Sequence, residues 1–416
     1  MTIILFEDEL VEQLYPITIG RPAFAISCGG YRLIDLVGQL GHNVRAIVRP
    51  HLVELVKADY PSLAGDGSAA SDGTLLLNSR LVPSAAVVGQ LKAIVAAGRP
   101  GVIRSGESVC AALLPPGSKA PSTVAELSSG QFFAQLGAEI LKDELPLYQF
   151  PHEIIRYHLA ILEENLAHRI GAGEYQEIAE SVFAAPGAVL GKYVVTETKH
   201  GPIVLDAGAT VGPYCYLSGP AYLGSGSRVL EHAALKDGVA IGHTTKVGGE
   251  VEASIIEPYT NKQHHGFLGH SYLGSWINLG AGTCNSDLKN TYGQVNMEYR
   301  GRKVGTGMQF VGAIVGDYAK TAINTGIFTG KTIGVCSMVY GFVTTNVPSF
   351  VNYARLFGQV TEAPVEIMIA TQRRMFERRG VSQRPCDIQL LHDMYALTAH
   401  ERQLPGETIS IEPLSL

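Results

Sequence analysis

The chain has 416 residues, 46% of them hydrophobic and 17% charged, so it can bury a large core and form two or three domains. Its formal net charge of -6 supplies no basic field for a phosphate polymer or an anionic bilayer, which argues against nucleic acid and membrane partners. The N-terminus MTIILFEDEL carries acidic residues where a secretory leader needs basic ones, and we expect a cytoplasmic protein.

In chain order, residues 1–150 alternate short apolar runs with helical patterns. These segments are 3–6, 31–40, 44–48, 51–58, 74–77 and 86–97. Strands separated by helices of this length predict an α/β domain with a mainly parallel sheet. A linker helix is predicted within 151–180, because one face of that pattern collects apolar side chains. Those side chains are Ile154, Ile155, His158, Leu159, Leu162 and Leu166.

A six-residue period then dominates the chain. The first hexad position is aliphatic eight times in succession, at Leu205, Val211, Leu217, Leu223, Val229, Leu235, Ile241 and Val247. The period resumes in shifted register at Phe267, Leu273 and Leu279, and again at Val315, Thr321, Ile327, Ile333 and Val339. Six residues fit one short strand plus a corner, so three units close a triangular coil. We predict a parallel β-helix over 181–350, with glycine relieving crowding at corners; a β-sandwich is the weaker alternative.

The period breaks at 255–265 and at 284–304, which predicts two loops outside the prism. A helical pattern returns afterwards and predicts a helical C-terminal tail over 351–416, packed against the open end of the prism. Its apolar stripe comprises Val365, Met368, Ile369, Gln372 and Met375. The basic residues of the same helix are Arg373, Arg374, Arg378 and Arg379. They fit a solvated helix face better than a phosphate site.

Between the breaks, the segment HHGFLGHSYLGSWINLGAGTCNSD resembles the acetyltransferase part of the bifunctional bacterial enzymes that acetylate glucosamine 1-phosphate and then uridylylate it. The motif spacing of that family is met by His264, Leu268, Gly269, Gly274, Asn278, Gly280, Ala281, Gly282 and Thr283. The domain order is the same, an α/β nucleotidyltransferase-like domain followed by a hexapeptide β-helix. The resemblance implies a left-handed β-helix, although parallel crossovers are normally right-handed. It also implies a homotrimer, with sites between subunits.

The resemblance implies an N-acetyltransferase that uses acetyl-CoA as cosubstrate and acts on an amino-sugar phosphate, in sugar-nucleotide or cell-envelope biosynthesis. It makes His264 the general base, because a neutral imidazole can accept the proton of the attacking amine. Substrate contacts are carried over to Asn278 and Asn285, and acetyl-CoA contacts to Gly280, Ala281 and Gly282. The candidates for holding the sugar phosphate are Lys246, Lys262 and Lys289. Phe267 departs from the family, which has a tyrosine there.

Residues 1–150 resemble sugar nucleotidyltransferases more distantly. The nearest match to the glycine-rich loop of that family is GRPAFAISCGGYR, which makes Gly20, Arg21 and Arg32 candidate nucleotide contacts. Where the family has a magnesium-binding aspartate, this chain has Asn78, a poor ligand for a hard cation. We expect a truncated or degenerate domain, with Mg²⁺-dependent uridylyl transfer from UTP as the alternative.

Two other functions fit parts of the pattern. His265 and His270, with His232 and His243 upstream, resemble the zinc ligands that β-helix carbonic anhydrases share across a trimer interface. A non-catalytic sugar-nucleotide binding protein would bind such a ligand without turnover. Zinc content and turnover distinguish these alternatives from the acetyltransferase.

Overall fold

A computed structural model of the protein describes residues 1–63, 73–115, 117–128, 131–136, 139–403 and 409. The chain divides into two compact units. The first comprises Met1–Leu14, Gly20–Ser27 and Tyr31–Phe150. The second comprises Tyr15–Ile19, Cys28–Gly30 and Pro151–Leu416.

The first unit is built on a mixed sheet. Its described strands are β1 (Thr2–Phe6), β2 (Asn43–Ile47), β3 (Thr74–Asn78), β4 (Gly101–Ser105) and β5 (Ser108–Leu113), in the spatial order β2-β1-β3-β5-β4. β1 pairs in parallel with β2 and β3, but β5 is antiparallel to β3 and β4. The sheet is therefore not mainly parallel as predicted, because the connection Gly106–Glu107 is short enough only for a hairpin.

The helices of the first unit follow local sequence signals. The described ones are α1 (Leu33–Gly38), α2 (Val53–Asp59), α3 (Ala85–Ala97), α4 (Val124–Ser128) and α5 (Gln131–Gln135), with 3-10 turns at Glu9–Leu14, Ala23–Ala25, Pro50–Leu52 and Pro61–Leu63. Helix α3 begins after Ser84, whose Oγ accepts the N–H of Val87 at 3.2 Å, and it ends at Gly98, which has a φ of 60°. The capping residues thus set both ends of this predicted helix.

The second unit contains a left-handed parallel β-helix with three faces, as predicted. We name the faces A, B and C in the order in which each coil visits them. The described strands of face A are Gln176–Ala179, Val182–Ala184, Ile203–Leu205, Ala221–Leu223, Val239–Ile241, Ile255–Ile256, Tyr272–Leu273, Ala313–Val315 and Lys331–Ile333. Those of face B are Val189–Leu190, Thr210–Val211, Arg228–Val229, Lys246–Val247, Asn261–Lys262, Asn278–Leu279, Lys320–Thr321, Met338–Val339, Val351–Ala354 and Gln359–Glu362.

Face C is interrupted. Its first group of strands is Val195–Glu197, Tyr216–Ser218, Ala234–Lys236, Glu250–Glu252 and Phe267–Gly269. Its second group is Cys284–Asn285, Gly326–Ile327 and Phe342–Val343. The side chain of Asn285 bridges the interruption, because its Oδ1 accepts the N–H of Gly269 at 2.8 Å and its Nδ2 donates to the carbonyl of Gly269 at 3.0 Å. An asparagine amide thus replaces the missing strand pairing.

The aliphatic hexad positions form the core of the prism, as predicted. The eight residues from Leu205 to Val247 lie in one buried cluster with Leu273, Leu279, Val315, Ile327, Ile333 and Val339. The predicted interior position of Phe267 is wrong, because Leu268 lies in that cluster and Phe267 points outward from face C. The prediction assumed a constant six-residue spacing between interior positions, whereas the coils shorten here. The coil from Lys246 to its strand partner Asn261 has fewer residues than the preceding coil, from Arg228 to its partner Lys246.

The glycines that follow interior positions lie against the next coil. A Cβ on Gly280 would come within 2.6 Å of the carbonyl carbon of Ala322, and a Cβ on Gly212 within 2.7 Å of the nitrogen of Glu231. Both separations are too short for a real contact, so a side chain there would push the coils apart. The repeated glycine is a packing requirement of stacked corners.

The break predicted at 255–265 is not a loop outside the prism. Ile255–Ile256 and Asn261–Lys262 form strands on faces A and B, which leaves only residues 263–266 as a corner. The apolar pattern lapses because Lys262 occupies the interior position beside Val247. The second predicted break, at 284–304, is a true excursion after the face C strand Cys284–Asn285, and it contains the antiparallel hairpin Asn296–Tyr299 with Arg302–Gly305.

Helix α6 (Pro151–Ala172) belongs to the second unit. Its predicted face is buried at Ile154, Ile155, His158, Leu162 and Leu166. Leu159 of that face stays partly exposed. His158 Nδ1 accepts the N–H of Gly29 at 2.9 Å, so Nε2 carries the proton and donates to the carbonyl of Gly238 at 3.0 Å. Among the described helices, none has both the length and the hydropathy to cross a membrane.

The described part of the C-terminal tail contains α7 (Val365–Glu377) and α8 (Pro385–Leu397), with 3-10 turns at Arg355–Phe357 and Ala399–Arg402. The rest of the predicted tail, 404–408 and 410–416, lies outside the described residues. Phe376 of α7 packs on Trp276 at a ring distance of 4.4 Å, and Trp276 stacks on Tyr259 at 4.2 Å. Helix α7 therefore lies along a corner of the prism and not over its open end, because these aromatic corner residues provide the apolar surface.

Candidate active site

The predicted base lies in the corner of residues 263–266, which we call the histidine loop. This corner joins the face B strand Asn261–Lys262 to the face C strand Phe267–Gly269. His264 and His265 are both exposed, and within the described residues neither imidazole makes a hydrogen bond. Both rings are therefore available to a ligand at the surface.

Lys262 holds the histidine loop from inside the prism. Its Nζ donates to the carbonyls of Gly248 at 2.7 Å, His264 at 2.9 Å and Gly266 at 2.7 Å. Burial lowers the pKa of this lysine to about 8. Because all three ammonium protons are used by backbone carbonyls, the geometry gives Lys262 a structural task and no free donor for a sugar phosphate.

The turn Gly280–Ala281–Gly282 lies one coil beyond the histidine loop. The N–H of Gly282 donates to the carbonyl of His265 at 3.0 Å, and the carbonyl of Ala281 accepts the N–H of Asn324 at 2.7 Å. The turn is thus fastened on both sides. This turn contains the three residues expected to contact acetyl-CoA, and it lies directly beside the histidine loop.

The two asparagines of the motif have different surroundings. Asn278 is exposed on face B, one rung from Asn261, which leads into the histidine loop. Asn285 is buried and gives its amide to Gly269 and to the carbonyl of Ser286. The surface position of Asn278 suits a ligand contact, whereas the bonds of Asn285 suit a structural role.

The other lysines proposed for the sugar phosphate are separated in the fold. Lys246 is half-buried on face B, in the same outward row as Asn261. Burial and the nearby Arg379, Arg228 and Arg378 lower the pKa of Lys246. Lys289 lies in the excursion after face C, where its carbonyl accepts the N–H of Tyr292 at 2.8 Å. The row on face B, and not the excursion, leads into the histidine loop.

Two polar contacts near this region were not predicted from the sequence, which offered His270 only as a zinc ligand. His270 Nδ1 bonds to Asp287 Oδ2 at 2.8 Å, and its ring stacks on Phe310 at 5.1 Å. Burial raises the pKa of Glu252, and the nearby His270 partly offsets this rise. Cys284 is exposed, and its Sγ accepts the N–H of Phe267 at 3.4 Å. Both aspartate and cysteine stood in the CNSD segment, but only the fold shows what they face.

Three of the four histidines of the zinc alternative make separate contacts, and the fourth, His265, is exposed. The rings of His232 and Tyr214 stack at 5.5 Å, that of His243 meets Tyr259 edge-on at 5.0 Å, and His270 bonds to Asp287. Within the described part of the chain, no three histidine, cysteine or acidic side chains converge as a metal site. One chain therefore offers no ligand set for zinc among these residues.

The candidate nucleotide contacts of the first unit are used internally. Arg21 is buried, and its carbonyl accepts from Arg49 Nη2 at 3.1 Å. Arg32 pairs with Asp35, through Nη2 to Oδ1 at 2.6 Å and Nε to Oδ2 at 3.0 Å, at the start of α1. Gly20 is half-buried beside Arg21. The guanidinium of Arg32 thus has a local partner, whereas the bond of Arg21 to Arg49 uses only its main chain.

The paired glycines of the same motif lie in the second unit, against α6. The carbonyl of Gly29 accepts from Asn165 Nδ2 at 2.9 Å, and that of Gly30 accepts from Arg169 Nη2 at 2.7 Å. The N–H of Gly29 already donates to His158. The N–H of Gly29, which could have contacted a phosphate, is therefore committed to helix packing.

The position expected to bind magnesium does not fit that ion. Asn78 Nδ2 donates to Asp8 Oδ2 at 2.8 Å and to the carbonyl of Val109 at 2.9 Å, while its Oδ1 accepts the N–H of Arg80 at 2.9 Å. Asp8 is neutralised by Arg80, whose Nη2 lies 2.6 Å from its Oδ2. An amide and a paired carboxylate are poor substitutes for the free carboxylates that Mg²⁺ prefers.

These features define a class of protein in which a nucleotidyltransferase-like α/β domain precedes a left-handed β-helix with a fastened histidine corner. Residues 3–170 match the family model of sugar nucleotidyl transferases. The chain is 29% identical over 103 residues to the bifunctional sugar-1-phosphate nucleotidylyltransferase/acetyltransferase of Sulfurisphaera tokodaii, covering 24% of this chain and 26% of that protein. It is 33% identical over 92 residues to the bifunctional protein GlmU of Cupriavidus pinatubonensis, covering 21% and 20%.

Among solved structures, the chain is similar to the UDP-N-acetylglucosamine acyltransferase of Francisella novicida, with 17% identity, coverage of 54% of this chain and 76% of that chain, and a TM-score of 0.31. The chain spans about a quarter or less of the two curated relatives, since the matches cover 26% and 20% of their lengths. The resemblance to the GlmU-like bifunctional family that the sequence predicts is confirmed.

Proposed function

We propose that the β-helix transfers an acetyl group from acetyl-CoA to the amine of an amino-sugar phosphate resembling glucosamine 1-phosphate, with His264 as the general base. The observation that carries this proposal is the histidine loop. Its imidazoles are exposed, while its backbone is held by Lys262 on one side and by Gly282 on the other. A fixed backbone below a free ring is what a positioned proton acceptor requires.

In the proposed reaction the amine nitrogen attacks the thioester carbonyl and forms the new C–N bond. His264 takes the proton that the nitrogen must lose. The C–S bond then breaks, and the CoA thiolate leaves and is protonated by the proton that His264 accepted, which returns the imidazole to its neutral form. The products are the acetamido sugar and free CoA, so no oxidant, metal ion or further reactant is needed.

The substrate contacts are proposed from the exposed residues beside the histidine loop. Asn278 offers an amide on face B, and the turn Gly280–Gly282 lies next to His265, where it would adjoin the thioester. Lys246 is proposed to meet a phosphate group of one of the two substrates. Lys262 and Asn285 support the site through the backbone, and Lys289 remains a proposed contact from the excursion. A homotrimer, with neighbouring prisms completing the cleft, is part of the proposal.

The test compares two adjacent histidines. The purified chain is given acetyl-CoA and a panel of amino-sugar phosphates, and the free thiol is measured. We expect His264→Ala to reduce turnover by about 10²–10⁴-fold, the usual range for a general base, and His265→Ala to change it far less. Equal losses in both variants, or undiminished turnover in His264→Ala, would reject the assignment.

For the first unit we propose a domain that no longer transfers nucleotides. The support is the occupied environment of Asn78 and the ion pair of Arg32. The protein with UTP, Mg²⁺ and a sugar 1-phosphate should release no pyrophosphate above background. Release at an enzymatic rate would restore the uridylyltransferase alternative. Stoichiometric zinc in the purified protein, or binding of a sugar nucleotide with no acetyl transfer to any amine, would favour the other functions.

A further inference from the structure

Cationic side chains gather on face B, next to the proposed acetyl-transfer site. Arg228, Lys246 and Asn261 are paired in register on successive coils. Their neighbours Val229 and Val247 point into the core, so these three point outward. Successive rungs are about 4.8 Å apart, which brings the side chains of this row within reach of one small ligand.

Helix α7 adds two more cations to this row. The stacking of Phe376 on Trp276 anchors the end of the helix to the prism. Arg378 and Arg379 follow directly, and Arg379 Nη2 donates to Asn261 Oδ1 at 2.5 Å. We call the set Arg228, Lys246, Arg378 and Arg379 the face B cation cluster.

The face B cation cluster has no acidic counterpart in the described part of the chain. None of its four members forms an ion pair there, although Arg373 on the same helix pairs with Glu377 at 4.0 Å. Glu231 lines the same groove as Arg228 but makes no ion pair with it among these residues. The charged neighbours that influence the pKa of Lys246 are three arginines, and all of them lower it. The repulsion between these four positive charges decreases when an anion binds between them.

We propose that the face B cation cluster binds the diphosphate group of a small ligand. Four positive charges match a diphosphate better than a single phosphate, and the planar guanidinium groups can each contact two phosphate oxygens. The identity of the ligand rests on the proposed function, because both CoA and a sugar nucleotide carry this group. Asn261 joins the cluster to the histidine loop, three residues before His264 on the same stretch of chain.

Inorganic pyrophosphate tests the cluster without turnover. Calorimetry on the full chain measures affinity, and the fluorescence of Trp276, the single tryptophan, reports binding beside α7. We expect Arg379→Gln and Lys246→Gln each to weaken binding about tenfold or more, since each removes a charged hydrogen bond. Arg373→Gln, on the same helix, should bind like the original chain.

Competition identifies the source of the diphosphate. Displacement of pyrophosphate by CoA but not by UDP assigns the cluster to the acetyl donor, and the reverse result assigns it to a sugar nucleotide. The His264→Ala chain should retain pyrophosphate binding, which separates this proposal from failure of acetyl transfer. Absent pyrophosphate binding, equal weakening in Arg373→Gln, or no competition by either nucleotide would overturn the assignment.

Discussion

Replacing Lys262 by methionine tests whether a buried ammonium holds the histidine loop. Methionine fills a similar volume at this 2% exposed interior position but removes three N–H donors. Each carbonyl left without its donor costs about 2 kcal/mol, or about 6 kcal/mol for three. Relief from burying the charge offsets part of this, because a pKa lowered from 10.5 to about 8 corresponds to about 3 kcal/mol. The expected net loss in the free energy of unfolding is therefore about 3 kcal/mol.

Urea unfolding followed by Trp276 fluorescence measures this loss in the β-helix unit, where the single tryptophan lies. Lys246→Met is the matched control. It removes a lysine one rung away that makes no such bonds among the described residues, and it should change stability by less than about 0.5 kcal/mol. Acetyl transfer should also fall in Lys262→Met, because the base loses its fixed backbone. Equal urea midpoints for the two variants would refute the role given to Lys262.

Other predictions concern acid stability, the face C bridge and the exposed thiol. Burial lowers the pKa of His158 to about 4, so between pH 6.5 and 4 only the unfolded chain takes up its proton, and stability falls as the pH drops. Lowering the pH from 7.5 to 5 should reduce the free energy of unfolding by about 2 kcal/mol through this residue. The His158→Gln variant should be less stable than the original chain at pH 7.5, but its urea midpoint should change less between the two pH values. Asn285→Ala should lose about 2–3 kcal/mol because two hydrogen bonds to Gly269 vanish, whereas Asn278→Ala, at an exposed position, should lose less than about 0.5 in the same urea assay. Iodoacetamide should alkylate Cys284 in the native protein, and saturating acetyl-CoA should slow that reaction severalfold by mass spectrometry; an unchanged rate would place the donor elsewhere.

The hexad pattern predicted most of the β-helix because each interior position has one requirement, an aliphatic side chain that stacks on its neighbours. Where that requirement held, from Leu205 to Val247, every predicted core residue is buried. Where it did not hold, the prediction failed. Lys262 occupies an interior position, and its polarity made a regular coil look like a loop. Phe267 was placed inward because the shortened coils are invisible to a fixed period.

The candidate site, too, could be predicted from the sequence only in part. The motif around His264 was visible in the sequence because its spacing is local, and the exposed position of that histidine fits the role proposed for it. Whether each polar residue faces solvent or the backbone depends on partners distant in the chain. Asn285 meets Gly269 across the interruption of face C, and Arg379 meets Asn261 across 118 residues.

The sequence by itself therefore determined the repeat, the prism and the motif that carries His264, since these follow from periodic burial and local spacing. Only the tertiary structure decided that Lys262 is a structural donor, that Asn78 lies in a neutralised network, and that α7 completes a cluster of cations on face B. Hydrogen bonds and charge interactions depend on distance in space, and distance in space appears only after the coils have stacked.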